Sequence, residues 1–170
     1  WSNRVFYQFL AHLDHDGEVT LMNYGYTPLA AEAAVIPMEA HNEPNRLCLQ
    51  LYHHVASAVD LRDRDVLEVG SGRGGGAAYI RRTFSPRSMT GVDYSERAVA
   101  FCQRFHQEDR LEYVHGDAEA LPFEDGRFDA VLDVESSHCY GSMSRFLAEA
   151  HRVLRPGGHL LWADFRSPGE

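Results

Sequence analysis

Apolar residues recur at helical spacing over residues 1–13, where Trp1, Val5, Phe6, Phe9, Leu10 and Leu13 are separated by Arg4 and Gln8. An aromatic segment punctuated by turn residues follows at 21–28. Pro44 then opens a second helical pattern, with Leu47, Leu51, Val55 and Val59 on one stripe. From Asp65 the pattern changes to short β-type runs at 66–69, 89–92, 111–114, 128–133 and 159–165. Helical stretches lie between them: one at 77–83, one capped by Ser95 and running through Ala98, Phe101, Cys102 and Phe105, and one at 146–154. Pro156-Gly157-Gly158 is expected to stop the last helix. Strands alternating with helices predict βαβ units. The fold class is α/β, a Rossmann-like, doubly wound and mainly parallel sheet with helices on both faces. Residues 1–60 read as a helical N-terminal cap and 61–170 as the core.

Composition narrows the chemistry. With 16 cationic and 25 acidic residues the net charge is −9, a poor match for nucleic-acid phosphates or an anionic membrane leaflet. All 16 cations are arginine, which excludes a P-loop, a Schiff-base lysine and a Tyr-x-x-x-Lys relay. Cys48, Cys102 and Cys139 form no C-x-x-C pair, so no metal site is expected, and an odd count reads as reduced thiols in a cytoplasmic protein. No apolar run approaches the ~20 residues of a membrane span, and no signal peptide is visible.

The first β-run enters Gly70-x-Gly72-x-x-Gly75 and then a helix, the spacing of a dinucleotide loop. Glycines there let the backbone turn sharply and approach a ligand at a helix N-terminus. Asp93 ends the second run, 23 residues after the first glycine, where a carboxylate can accept from ribose hydroxyls. A tight structural turn would use the same residues, and Asp93 and Asp117 alone would read as turn formers.

The same loop also reads Glu68-x-Gly70-x-Gly72-x-Gly74, which resembles motif I of the class I S-adenosylmethionine-dependent methyltransferases. Gly91-Val92-Asp93-Tyr94-Ser95 resembles that family's second-strand end. The segment 116–123 resembles its third-strand loop, and Phe128-Asp129-Ala130-Val131 with Leu154-Arg155-Pro156-Gly157-Gly158 its fourth strand and the turn into its fifth. The resemblance implies S-adenosylmethionine as cofactor, held by Glu68, Gly70, Ser71, Gly72, Gly74, Asp93, Tyr94, Asp117 and Ala118. Glu68, Asp93 and Asp117 would suit a cationic sulfonium. Two other classes stay open, a nicotinamide-dependent oxidoreductase and a cofactor-binding domain without turnover.

The segment after the fourth run, 133–140, should face the methyl group. His138 is the candidate base for methylating a hydroxyl, with Glu135 orienting it or touching the substrate. Carbon or nitrogen acceptors remain alternatives. The Glu135-x-x-His138-Cys139-Tyr140 string resembles methyltransferases of polyketide-derived glycolipid alcohols and, more loosely, of sterols. This implies a small, largely apolar acceptor of natural-product or secondary metabolism, with Tyr24 and Tyr26 lining or covering the site. The family's sheet continues beyond a fifth strand, whereas this sequence stops five residues after Phe165. The expectation is an incomplete domain whose last strand has an open edge, favouring association with a second copy.

Overall fold

A computed structural model describes residues 19–28 and 36–165. A 3-10 turn, Ala40–Asn45, leads into α1 (Arg46–Ala56); then come β1 (Asp65–Val69), α2 (Gly75–Phe84), β2 (Ser88–Asp93), α3 (Glu96–Phe105), β3 (Leu111–His115), β4 (Phe128–Val134), α4 (Met143–Val153) and β5 (Leu154–Ala163). The five strands form one sheet in the order β3-β2-β1-β4-β5, every pairing parallel. The expected α/β, doubly wound architecture is present. The expected helix at 1–13 lies outside the described residues.

Alternation along the strands explains the layers, because successive side chains leave a strand on opposite faces. Val66, Ala130 and Leu132 point into a core shared with Leu51, Tyr52 and Val55 of α1, Ile80 of α2 and Phe101 of α3. Leu67, Val69 and Val131 point the other way, onto Phe146, Ala150 and Val153 of α4. Strands apolar on both faces are what a parallel sheet covered by helices requires.

Two boundaries differ from expectation. Pro44 falls inside the 3-10 turn, and α1 begins two residues later, leaving Leu47 52% exposed while Leu51 and Val55 are buried. Leu154 is the first residue of β5 and pairs with Phe128, so Pro156-Gly157-Gly158 forms a bulge within the strand. Gly157 supplies the positive φ of +80° there, and regular pairing resumes at Ala130 with His159.

Because all strands run one way, the loops after β1, β2, β3, β4 and β5 open on a single edge. The opposite edge is closed by charge: Arg155 donates to Asp129 at 2.7 Å and to Asp65 at 2.8 Å, and Arg87 Nε donates to Asp65 at 2.8 Å. The α4 layer rests on Phe146, which is fully buried. Phe146→Ala should lower the unfolding free energy by about 3–5 kcal/mol, read by chemical denaturation. A loss below about 1 kcal/mol would contradict the packing described.

Candidate active site

A cavity opens on the carboxyl edge of the sheet. Its wall comprises Gly70 to Arg73 after β1, Asp93 to Ser95 after β2, Gly116 to Ala118 after β3, and Val134 to Ser136 with Cys139 and Tyr140 after β4. Residues 20–23 of the N-terminal segment close one side, and Tyr52 of α1 also contributes.

The glycine loop is bolted from below. The Gly72 carbonyl accepts from Cys102 Sγ at 3.4 Å, the Arg73 carbonyl is 2.9 Å from His106 Nε2, and the Gly74 carbonyl accepts from Tyr113 OH at 2.8 Å. Gly70 has φ +73°, and a Cβ on it would overlap the Ser136 side chain. Asp93 Oδ2 accepts from Gly72 N–H and Oδ1 from Ser95 N–H, both at 2.8 Å. Each oxygen keeps a second lone pair for a diol. Burial pushes the Asp93 carboxyl above its usual range.

Behind this wall lies a carboxylate network. Asp133 is fully buried; its Oδ2 accepts from Tyr140 OH at 2.7 Å and from Ser136 Oγ at 2.8 Å. Burial raises its carboxyl to about 6, against those two hydrogen bonds. A 3-10 turn, Ser137–Cys139, carries His138; its neighbours Ser136 and Cys139 line the cavity, whereas the His138 side chain is 7% exposed and stands outside the lining. His138 Nδ1 is 2.9 Å from Asp164 Oδ1, and its backbone N–H donates to Asp164 Oδ2 at 2.8 Å. Ser137 Oγ donates to the same carboxylate and accepts from Trp162 Nε1 at 3.0 Å. Burial alone would raise Asp164, but the hydrogen bonds from Ser137 and His138 outweigh it and hold the carboxyl low.

The expected residues divide. Gly70, Ser71, Gly72, Asp93, Tyr94, Asp117, Ala118 and Glu135 share the cavity wall. Glu68 stands outside it, fully buried beneath the loop, where its Oε1 accepts from Tyr52 OH at 2.6 Å. Gly74 is the N-cap of α2, packed against Tyr113. Tyr26 is turned onto α1, its amide donating to the Leu47 carbonyl at 3.0 Å and its ring stacked on His54 at 4.3 Å. Tyr24 lies outside the wall, 77% exposed, edge-on to Phe165. Glu135 does not orient His138. Its Oε2 accepts from Tyr24 N–H at 2.8 Å, and Asp164 holds the imidazole instead. Among the described residues no cluster of His, Cys, Asp or Glu could hold a metal ion.

Residues 67–162 match the family of methyltransferase domains. The chain belongs to it. The phthiotriol/phenolphthiotriol dimycocerosates methyltransferase of Mycobacterium leprae is 45% identical over 166 residues, covering 96% of this chain and 60% of that protein. A fatty-acid O-methyltransferase of Mycolicibacterium smegmatis is also 45% identical, over 97% of this chain and 60% of its own length. The chain thus spans about three-fifths of the curated relatives it matches. The YcgJ protein of Bacillus subtilis aligns with a TM-score of 0.65 at 26% identity, covering 71% of this chain and 52% of that one. The cyclase SpnF shares the fold, with a TM-score of 0.71 at 24% identity over 92% of this chain and 56% of its own.

Within this methyltransferase fold the wall fits S-adenosylmethionine. Ser71 Oγ and Asn23 Oδ1 are buried in it without partners among the described residues, and the Asp93 carboxylate lies in the same wall. Sequence reasoning missed Asp164 and Thr20, and gave Asp133 and Leu21 no role of their own within the segments it singled out. The rule that singled out Asp93, an acid closing a strand at the carboxyl edge, finds Asp164 when applied to β5.

Burial raises the Glu68 carboxyl from 4.5 to about 8. Below pH 4.5 the group is protonated whether the chain is folded or not. Between 4.5 and about 8 the unfolded chain ionises while the folded one keeps its proton, so rising pH favours unfolding. Glu68→Gln should therefore be the more stable protein at pH 9, by roughly 2–4 kcal/mol, with the gap closing toward pH 4. Parallel denaturation curves for the two proteins across pH would contradict the buried, proton-holding Glu68.

Proposed function

We propose that the protein transfers a methyl group from S-adenosylmethionine to a hydroxyl oxygen of a small, lipid-like acceptor. The observation that carries this reading is the His138–Asp164 pair, 2.9 Å apart, on the turn whose flanking residues Ser136 and Cys139 line the cavity. S-adenosylmethionine supplies, when bound, a methyl carbon made electrophilic by a sulfonium.

In this reading the chain's own residues take the remaining roles. Asp93 takes the ribose hydroxyls, the backbone of Gly70 to Gly72 faces the amino-acid portion, and Tyr94, Asp117 and Ala118 surround the base. A hydrogen on His138 Nδ1, directed at Asp164, leaves the lone pair on Nε2. As the acceptor oxygen bonds to the methyl carbon and the carbon–sulfur bond breaks, Nε2 takes the hydroxyl proton. The Asp164 carboxylate then faces an imidazolium. Phe165 packs on the imidazole, ring centroids 4.5 Å apart, and with Tyr24 and Trp162 it presents exposed aromatic surface suited to an apolar acceptor body. The names of the two mycobacterial relatives, one acting on dimycocerosate lipids and one on fatty acids, support that class. We place the protein in the cytoplasm, acting without nucleic acid; among the described residues no helix is long and apolar enough to cross a membrane.

The fatty-acid relative favours a second reading, a carboxylate acceptor. An ionised carboxylate has no proton to give, which separates the two. His138→Ala should reduce kcat on a long-chain alcohol by about 10²–10⁴-fold, with S-adenosylhomocysteine affinity unchanged by calorimetry. Methylation of a fatty acid of the same length by wild type, equally fast in His138→Ala, would establish the carboxylate reading instead.

A further inference from the structure

Residues 19–28 run as a strap across the glycine loop. The Thr20 carbonyl accepts from Gly75 N–H at 3.1 Å, and Arg73 Nε donates to the Val19 carbonyl at 3.2 Å. At the other end Asn23 Nδ2 donates to the Cys48 carbonyl at 3.4 Å, Cys48 Sγ donates to the Asn23 carbonyl at 3.2 Å, and Gln50 Nε2 reaches the Tyr26 carbonyl at 2.8 Å. Between these anchors Tyr24 holds the strap to the side of the site after β4 and β5: its N–H donates to Glu135 Oε2 at 2.8 Å, and its ring lies edge-on to Phe165 at 5.3 Å. Glu135 sits just past β4 in the left-handed region, φ +49°, with its own N–H bonded to the Ala163 carbonyl at 2.7 Å. A non-glycine residue is held in such a conformation only where its surroundings over-determine it.

The residue beside that contact carries the second observation. Asn23 lines the cavity, and its Oδ1 is buried with no partner. One N–H of its amide nitrogen goes to the Cys48 carbonyl, and the atom left without a partner at the cavity is the acceptor oxygen. The sheet order places it. Asp117 follows β3, Asp93 follows β2, the glycine loop follows β1 and Glu135 follows β4, in that order across the edge. A nucleoside lying over β3 and β2 leaves its amino-acid end over β1 and β4, beside the strap. The donor at that end is an ammonium, and an unmet acceptor matches it.

We propose that the strap is a working part of the cofactor site: Asn23 Oδ1 accepts from the ammonium of the cofactor's amino-acid end, and Glu135 is the positioning residue that latches the strap in place through Tyr24 N–H. Glu135 then has no share in proton transfer. The inference rests on reading the cavity as an S-adenosylmethionine site.

The test is calorimetric and compares S-adenosylhomocysteine with 5′-methylthioadenosine, which lacks the amino-acid end. Asn23→Ala should weaken S-adenosylhomocysteine by about tenfold, the effect of losing one hydrogen bond to a charged group, and leave methylthioadenosine within about twofold. Glu135→Ala should weaken S-adenosylhomocysteine to a similar degree, and the double variant should lose little more than either alone. Glu135→Gln still presents an oxygen to Tyr24 N–H, so it should restore affinity and keep kcat at saturating cofactor within about threefold. Equal weakening of both compounds by Asn23→Ala would make the strap a mere brace and overturn the proposal. A kcat loss of a hundredfold in Glu135→Gln with affinity intact would return Glu135 to the chemistry and overturn it too. Wild type binding neither compound would remove the underlying reading, and the inference with it.

Discussion

At residue 70 the chain leaves β1 at φ +73°, pressed so closely on Ser136 that no Cβ fits. Everything on the carboxyl edge is arranged around this contact. It requires glycine, since only glycine combines that φ with the missing side chain. It also requires the segment after β4 to bring Ser136 and Tyr140 to the same point, where their hydroxyls lie 2.6 Å apart over Asp133. The turn that offers backbone to a cofactor and the turn that carries His138 are therefore two sides of one packed joint.

Ser137 extends the joint to His138. Its N–H donates to Asp133 Oδ1 at 3.3 Å, and its hydroxyl donates to Asp164. A continuous run of hydrogen bonds thus leads from Tyr140, under the glycine turn, through Asp133 and Ser137 to Asp164 and His138. Buried polar groups of this kind are costly unless each finds a partner, and when satisfied they hold one geometry. Methyl transfer needs an acceptor oxygen in line with a methyl carbon, and a rigid relation between the loop and His138, the base we propose, would serve it through orientation.

Much of this was legible in the residues. The alternation from Asp65 onward located all five strands, and the α/β sheet followed because runs such as 128–134 are apolar on both faces. Asp93 was legible from its distance to Gly70. What escaped were facts of partner choice. Glu135 and His138 are separated by three residues, which suggested that one orients the other. The 3-10 turn carries His138 toward β5, and Asp164, twenty-six residues on, takes the imidazole. Glu68 has motif spacing, yet strand alternation turns it under the sheet toward Tyr52 rather than into the cavity. Pro156-Gly157-Gly158 looked like a helix stop because its bulge only has meaning once β4 lies alongside.

A site for S-adenosylmethionine and a site for a dinucleotide would both be built on the joint at Gly70 and on Asp93, and they differ in what they bind. Isothermal titration of the wild-type chain with S-adenosylhomocysteine and, separately, with NAD tells them apart most directly. One S-adenosylhomocysteine should bind per chain, with no measurable heat from NAD beyond dilution. Saturable NAD binding with no response to S-adenosylhomocysteine would contradict the S-adenosylmethionine reading.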